Sequence, residues 1–261
     1  MITHNGKQVT LAMRNRKAIN LIARNGKAMF GELEDLRMYG ITYAAKAVIL
    51  AEYGSVVWSD VKQYAKAHPQ IVEFINQDPH LACSISPNSN KERWLVGDGK
   101  AWIQVPVSIS TSDTITTIVK SMESATTFQC LFSTSQSRVF RLWVSNSKCI
   151  CTINGTESLP IHFSGIGKFE YNGESWSVNG LIVNTYKGTP VIADSFCLYN
   201  LSSSGSRQPI SAMSEFNVKD KLHFLPCLYN GIAGMVDAIS GTFHPNANTE
   251  GTFTIAITDK E

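Results

Sequence analysis

Apolar and polar residues alternate with period two through the first 31 residues, and the alternation restarts every ten. Val9, Leu11 and Met13, then Ile19, Leu21 and Ala23, then Met29 fall between Asn5-Gly6-Lys7, Asn15-Arg16-Lys17 and Asn25-Gly26-Lys27. Asn-Gly accepts the positive φ of a tight hairpin turn, so the pattern predicts a small β-meander over residues 1–31. Three units are too few to assert a solenoid. A meander this small is marginal alone and needs the following helices or another subunit to pack on.

The period then changes. Thr42 to Tyr53 is Ala-rich and stops at Gly54, which predicts a short helix. Val61, Tyr64, Ala65, His68, Ile71, Val72 and Ile75 follow Ser59-Asp60 at the spacing of one helical face and end at Asp78-Pro79, with Pro69 kinking or splitting that helix. His68 lies on the apolar stripe and reads as a packing residue, since no partner stands at helical spacing. Residues 32–83 read as a helical oligomerisation or linker region, and the polar, turn-rich residues 84–93 as a linker.

From Trp94 onward the chain is β-patterned. Candidate strands run over 102–107, 114–120, 127–132, 140–144, 148–153, 167–171, 175–178, 181–185, 194–200, 223–229, 234–237 and 252–257, separated by Gly, Asn and Ser turns. Helical patterns of ten or more residues are missing from this half, which argues against α/β. The fold class is therefore mainly β: a small N-terminal meander and short helices, then a C-terminal antiparallel jelly-roll sandwich over 94–261. Within the closing stretch, Leu222 to Phe253, the inner face is assigned Phe224, Leu228 and Met235, and the Asn230-Gly231 and Pro245-Asn246 loops are assigned to the surface.

The 261 residues are 43% apolar and 17% charged with a formal net charge of +2, values of an ordinary globular chain. No apolar run of signal-peptide length follows Met1 and none is long enough to span a membrane, so a soluble chain without membrane insertion is expected. Cys83, Cys130, Cys149, Cys151, Cys197 and Cys227 sit mostly in apolar strand-like runs and read as free buried thiols in a reducing compartment. Lys7, Arg14, Arg16, Lys17, Arg24 and Lys27 make the N-terminus basic. The absence of interleaved aromatics favours protein docking, or protection of strand edges, over nucleic acid.

Residues for catalysis are not evident. Glu170 and Glu174 flank a turn and read as solvated acids, His162, His223 and His244 lack a nucleophile pattern, and Gly165-Ile166-Gly167 is a lone G-x-G. Asp237 has no evident catalytic partner. A binding role needs exposed rings beside hydrogen-bonding groups. The candidates are Trp102, Trp143, Trp176, Tyr171 and Tyr186, with Asn172, Asn184 and Arg141 nearby; alternating strand aromatics are usually core, which leaves Tyr186-Lys187-Gly188 the best exposed.

Five stretches carry a resemblance: Asp98-Gly99-Lys100-Ala101-Trp102-Ile103; Cys151-Thr152-Ile153-Asn154-Gly155; Tyr171-Asn172-Gly173; Asp194-Ser195-Phe196-Cys197-Leu198-Tyr199-Asn200; and Leu225-Pro226-Cys227 through Gly234-Met235-Val236-Asp237 to Gly241-Thr242-Phe243. Their order resembles concanavalin-A-like, laminin-G-type jelly rolls, and the closing module is similar to the ends of such domains in appendage proteins of gut Bacteroidales phages, the crAss-like group included. The Asn-Gly-Lys repeats resemble the attachment ends of those fibres. The resemblance implies a non-enzymatic virion subunit, a head or tail fibre assembled in the host cytoplasm. It would be a homotrimer contacting capsid or tail proteins through the basic N-terminus, with Tyr186, Trp176, Tyr171 and Asn172 as the glycan-binding set. No cofactor or metal is carried over. The alternatives are a polysaccharide hydrolase or lyase on the same fold, or a cellular carbohydrate-binding adhesion module.

Overall fold

The computed structural model describes residues 39–120, 128–134, 139–145, 148–163, 165–200 and 211–260, together with the backbone of six short strands near the N-terminus. These are β1 (Ile2–His4), β2 (Lys7–Val9), β3 (Met13–Arg14), β4 (Lys17–Ala18), β5 (Ala23–Arg24) and β6 (Lys27–Ala28). They form three antiparallel hairpins with Ile2 opposite Val9, Met13 opposite Ala18 and Ala23 opposite Ala28. The ten-residue repeat is therefore a hairpin repeat, and among the described residues pairing stays within each hairpin instead of running on as a meander. The turn residues and Leu11, Ile19, Leu21 and Met29 lie outside the described residues.

Among the described residues four short helices are complete: α1 (Tyr43–Glu52), α2 (Gly54–Ala67), α3 (Val72–Gln77) and α4 (Ala82–Ile85). Thr42 caps α1, its Oγ1 accepting the Ala45 N–H at 3.2 Å. Gly54, expected as a stop, is a bend: its φ of +88° redirects the chain and α2 begins at once, so Ser59-Asp60 falls inside a helix. Pro69 and Pro79 each open a single 3₁₀ turn, because the residue before a proline is held out of the helical region, as His68 and Asp78 are.

Among the described residues nineteen strands follow, seventeen of them in two main sheets and two, at Ile109–Ser110 and Ile192–Ala193, paired with each other apart from these. In chain order they begin with β7 (Lys91–Gly97), β8 (Ile103–Val105), β9 (Ile109–Ser110), β10 (Thr114–Lys120), β11 (Gln129–Thr134), β12 (Phe140–Val144) and β13 (Lys148–Ile153). Next come β14 (Thr156–Glu157), β15 (Ile161–His162), β16 (Ile166–Asn172), β17 (Ser175–Val178), β18 (Leu181–Thr185), β19 (Ile192–Ala193) and β20 (Phe196–Leu198). The last are β21 (Ala212–Val218), β22 (Leu222–Tyr229), β23 (Ile232–Asp237), β24 (Thr242–Pro245) and β25 (Phe253–Asp259). One sheet runs β18-β17-β16-β10-β21-β22-β23-β24, with β7 joined to β21 and β25 to β7; the other runs β14-β13-β12-β11-β20-β8, with β15 on β13. Every recorded pair is antiparallel.

The sheets face each other across an aromatic core. Phe132 of one sheet meets Phe216 of the other at 4.9 Å between ring centroids, and Phe140 meets Tyr171 at 4.9 Å. Burying each such ring removes enough apolar surface from water to contribute about 1.5–3 kcal/mol. All six cysteines are buried and free, Cys149 and Cys151 on one face of β13 inside this core.

A second apolar cluster joins the helices to the outer face of β22 and β23. Leu222 and Phe224 point into the sandwich, whereas Leu225, Cys227, Val236 and Ala238 pack with Ile49, Val61, Ile71 and Phe74. The helices thus spend their apolar stripe on their own sheet, and β22 reads as a nearly continuous apolar run because both its faces are covered. Of the assigned inner-face residues Phe224 and Met235 are in the core, but Leu228 is 43% exposed because the strand runs past the opposing sheet there. Pro226 lies beyond the last pair with β21, where its missing N–H removes no ladder bond, and the next N–H on that edge, Leu228, donates to Asp78 at 2.7 Å. Residues 84–93 comprise the end of α4, a turn and the start of β7, so the segment read as a linker joins cap to sheet directly.

Candidate binding sites

Two cavities hold the polar side chains worth chemical attention. The first lies at the rim. Tyr186 is half-buried beside the sandwich core; its backbone N–H donates to the Glu174 carbonyl at 2.6 Å, and its hydroxyl donates to the Thr189 carbonyl at 2.7 Å and accepts from Asn154 Nδ2 at 3.3 Å. The loop it begins is tied down at Val191, whose N–H donates to Thr111 Oγ1 at 3.0 Å and whose carbonyl accepts from the Thr111 N–H at 3.0 Å. Between this loop and the Asn172-Gly173-Glu174 turn is a cavity of about 460 Å³ lined by Thr111, Ser112, Glu174, Tyr186 and Lys187. Gly173 is at φ +92° with the Ser112 carbonyl oxygen close by, so a side chain there would be strained. One carboxylate, one ammonium and two hydroxyls around a partly exposed ring offer donors and acceptors with no net charge.

The residues selected from sequence divide sharply. Tyr186 lines the cavity. Asn172 shapes it without facing a ligand: its Oδ1 accepts the backbone N–H groups of Glu174 at 3.0 Å and Ser175 at 2.8 Å, an Asx turn. Trp176 and Tyr171 have no exposed surface and are core residues, which corrects their assignment to a glycan face. The reason is the pleat: β16 and β17 put every second residue inward, and these two are on the inward phase, Tyr171 donating its hydroxyl proton to the Thr111 carbonyl at 2.8 Å. Trp102 and Trp143 are buried as well. Asn184 stitches the two sheets, its Nδ2 donating to the carbonyls of Cys151 and Thr156 at 2.9 Å each. Of the basic set, Lys7, Arg14, Lys17, Arg24 and Lys27 occupy hairpin strands, and Arg16 lies outside the described residues. Glu170 is ion-paired with Lys168 at 2.7 Å.

Sequence reasoning missed the second cavity. β21 pairs with β7 through Ala212 and Met213 and with β22 from Phe216 onward, and a register shift in β10 lies opposite the gap. At this fork Ser214 and Glu215 have no partner on that edge, and α4 with the turn after it roofs a cavity of about 300 Å³. His223 stands in its wall with Nε2 3.0 Å from Glu215 Oε1 and Nδ1 3.0 Å from the Tyr64 hydroxyl. An ionised carboxylate only accepts, so Nε2–H donates to Glu215, and the neutral form of that imidazole accepts at Nδ1 from Tyr64. Glu92, across the fork, accepts from Ser214 Oγ at 3.2 Å, and burial raises its carboxyl above the usual range. Arg93, 2% exposed, pairs with the equally buried Asp78, while its Nε and Nη1 and the Ser84 Oγ have no hydrogen-bond partner among the described residues. Tyr64 and His223 are 159 residues apart, so no local motif could have announced the grouping. Asp237 is structural: it accepts the N–H groups of His223, Ile239 and Ser240 and closes the turn before Gly241. Among the described residues no three His, Cys, Asp or Glu side chains converge as metal ligands would.

No family model matches the chain, and no curated protein matches it. Among solved structures it is similar to the native heptameric SAP-like pentraxin from Limulus polyphemus, at 11% identity and a TM-score of 0.41, over 64% of this chain and 95% of that one. A likeness this distant carries no argument about ligand, activity or assembly.

Proposed function

We propose that the chain is a non-enzymatic displayed binding module, and that the rim cavity takes a sugar unit of a surface glycan. The observation that carries this is Tyr186: a ring braced at its hydroxyl and backbone, with one flank open to a cavity whose other walls supply hydroxyl, carboxylate and ammonium groups. Sugars stack their C–H faces on such rings while their hydroxyls need both donors and acceptors. A glycan array probed with the chain and with Tyr186→Ala tests it. At least one glycan should bind and lose at least about tenfold in apparent affinity on truncation, an effect of about 1.4 kcal/mol. Binding indifferent to Tyr186, or an array without signal, would refute the assignment.

The wider setting we propose is a virion appendage of a bacterial virus, assembled in the host cytoplasm. Its basic hairpin repeat anchors it to capsid or tail protein as a homotrimer. The support is the ten-residue recurrence of hairpins with Lys or Arg in every unit, which fits docking on an acidic protein surface. Electron microscopy of particles lacking the protein should show missing appendage density; unchanged particles would sink the idea. One observation favours a hydrolase reading instead: Glu92 and Glu215 share the fork cavity in unlike environments, as acid and base pairs do. Cleavage of a bound glycan that Glu92→Gln abolishes would establish that reading and displace the non-enzymatic one.

A further inference from the structure

We infer that the three N-terminal hairpins, β1–β2, β3–β4 and β5–β6, are basic clamps for an acidic segment of a protein partner, and that they close fully only on that segment. The inference rests on the docking reading of the N-terminus and adds the partner's chemistry and the positions that meet it. The register carries it. The pair next to each turn is His4 opposite Lys7, Arg14 opposite Lys17 and Arg24 opposite Lys27. These pairs recur at an interval of ten residues and hold five of the six Lys and Arg residues found in the first 31. Like charges at directly opposed strand positions destabilise the pairing. A two-stranded hairpin is marginal even without that cost, so each unit works against its own closure.

Protection of strand edges does not account for this arrangement. A charge of either sign blunts an edge, and Glu opposite Lys would do so while favouring the hairpin. Residues 1–31 contain no acid to supply such a pair. A local rule broken at the same place in successive units marks a position kept for a partner. Carboxylates brought to the opposed cations turn the repulsion into attraction. Arginine in two of the three pairs suits them, because its planar fork gives two parallel hydrogen bonds to one carboxylate. Phosphate satisfies the same fork, but no Phe, Trp or Tyr precedes Phe30 to stack a base, which favours protein over nucleic acid. The next pairs outward are Thr3 opposite Gln8, Met13 opposite Ala18 and Ala23 opposite Ala28, so the other face of each hairpin is uncharged at these positions. The charge of each hairpin is gathered on one face, where the acidic segment binds.

Binding of fluorescein-labelled poly-L-glutamate to the full chain at neutral pH, read by anisotropy, tests this together with hydrogen exchange of the amides of residues 13–28. Poly-L-glutamate should bind, slow that exchange, and lose at least about tenfold in affinity between about 50 and 300 mM NaCl as salt screens the charges. Arg14→Glu/Arg24→Glu places an attractive pair in two hairpins. It should weaken binding at least about tenfold and yet, without poly-L-glutamate, slow exchange at least about threefold. Lys66→Glu/Lys219→Glu makes the same change of net charge on exposed residues of the helical cap and the sandwich, and should alter either reading less than about twofold. Equal losses in the two double variants, or faster exchange in Arg14→Glu/Arg24→Glu than in the unaltered chain, would overturn the clamps alone. No binding of poly-L-glutamate by the unaltered chain would overturn the clamps and the docking reading together. Tighter binding of a random-sequence DNA duplex than of poly-L-glutamate at equal charge would assign the hairpins to nucleic acid and overturn the proposal.

Discussion

The Arg93–Asp78 pair is the polar joint between the helical cap and the sandwich, and removing half of it should be the most damaging polar substitution in the protein. Both side chains are almost fully buried, at 2% and 3% exposure, and Asp78 also receives the Leu228 N–H of β22. Asp78→Ala strips Arg93 of its ion-pair partner and removes the acceptor of the part-buried Leu228 N–H. Uncoupling a buried ion pair from one side costs about 3–5 kcal/mol. At about 2–4 °C per kcal/mol for a chain of this size, Tm should fall by about 6–20 °C. Asp78→Asn separates the two effects, since its amide oxygen still serves Leu228 while the charge is gone. The double variant Arg93→Met/Asp78→Leu should be damaged less than Asp78→Ala, because two apolar groups replace an ion pair without stranding a charge. Urea unfolding followed by tryptophan fluorescence reads all of this, with Trp58 reporting from the cap cluster and Trp94 and Trp176 from buried positions in the sheet strands. A loss below about 1 kcal/mol for Asp78→Ala, or a double variant that loses as much as the sum of Arg93→Met and Asp78→Leu measured singly, would show that the pair does not couple the two layers.

Alkaline pH should destabilise the fold. Burial pushes the thiols of Cys130 and Cys227 up to about 12 and that of Cys197 to about 11. These groups stay protonated when folded but ionise near pH 9 when unfolded, so the stability they contribute is complete below that pH and is lost between about pH 9 and 12. Stability rising through that window would contradict the burial. The same thiols should resist a thiol-reactive dye at pH 8 in the native state and react in full, all six, in guanidinium. Gly234→Ala should destabilise by about 1–3 kcal/mol in thermal melts, since its Cβ would strike the His244 carbonyl oxygen of the neighbouring strand and the Phe243 ring. A melt unchanged within error would mean that β24 is free to shift.

The sequence by itself determined the elements. Hairpin turns, the two-to-3.6 change of period after residue 31 and the run of short alternating strands are local signals, and local sterics and amphipathicity are enough to express them. The free cysteines and the burial of most strand aromatics followed from the same alternation. Phase was harder to read, because Trp176 and Tyr171 flank a turn and only the pairing of β16 with β17 and the sheet behind them fixed which way they face. The fork cavity was beyond sequence entirely: Arg93, Asp78, Tyr64, Glu215 and His223 come from five separate elements. They meet because β21 changes partners midway and a helical cap closes over the gap. Tyr186 was recognisable from its turn, yet its cavity exists only where the Thr111 loop and the Gly173 turn come together. Periodicity records which face of an element is apolar; which elements share a boundary is settled by long-range packing, and binding sites form at those boundaries.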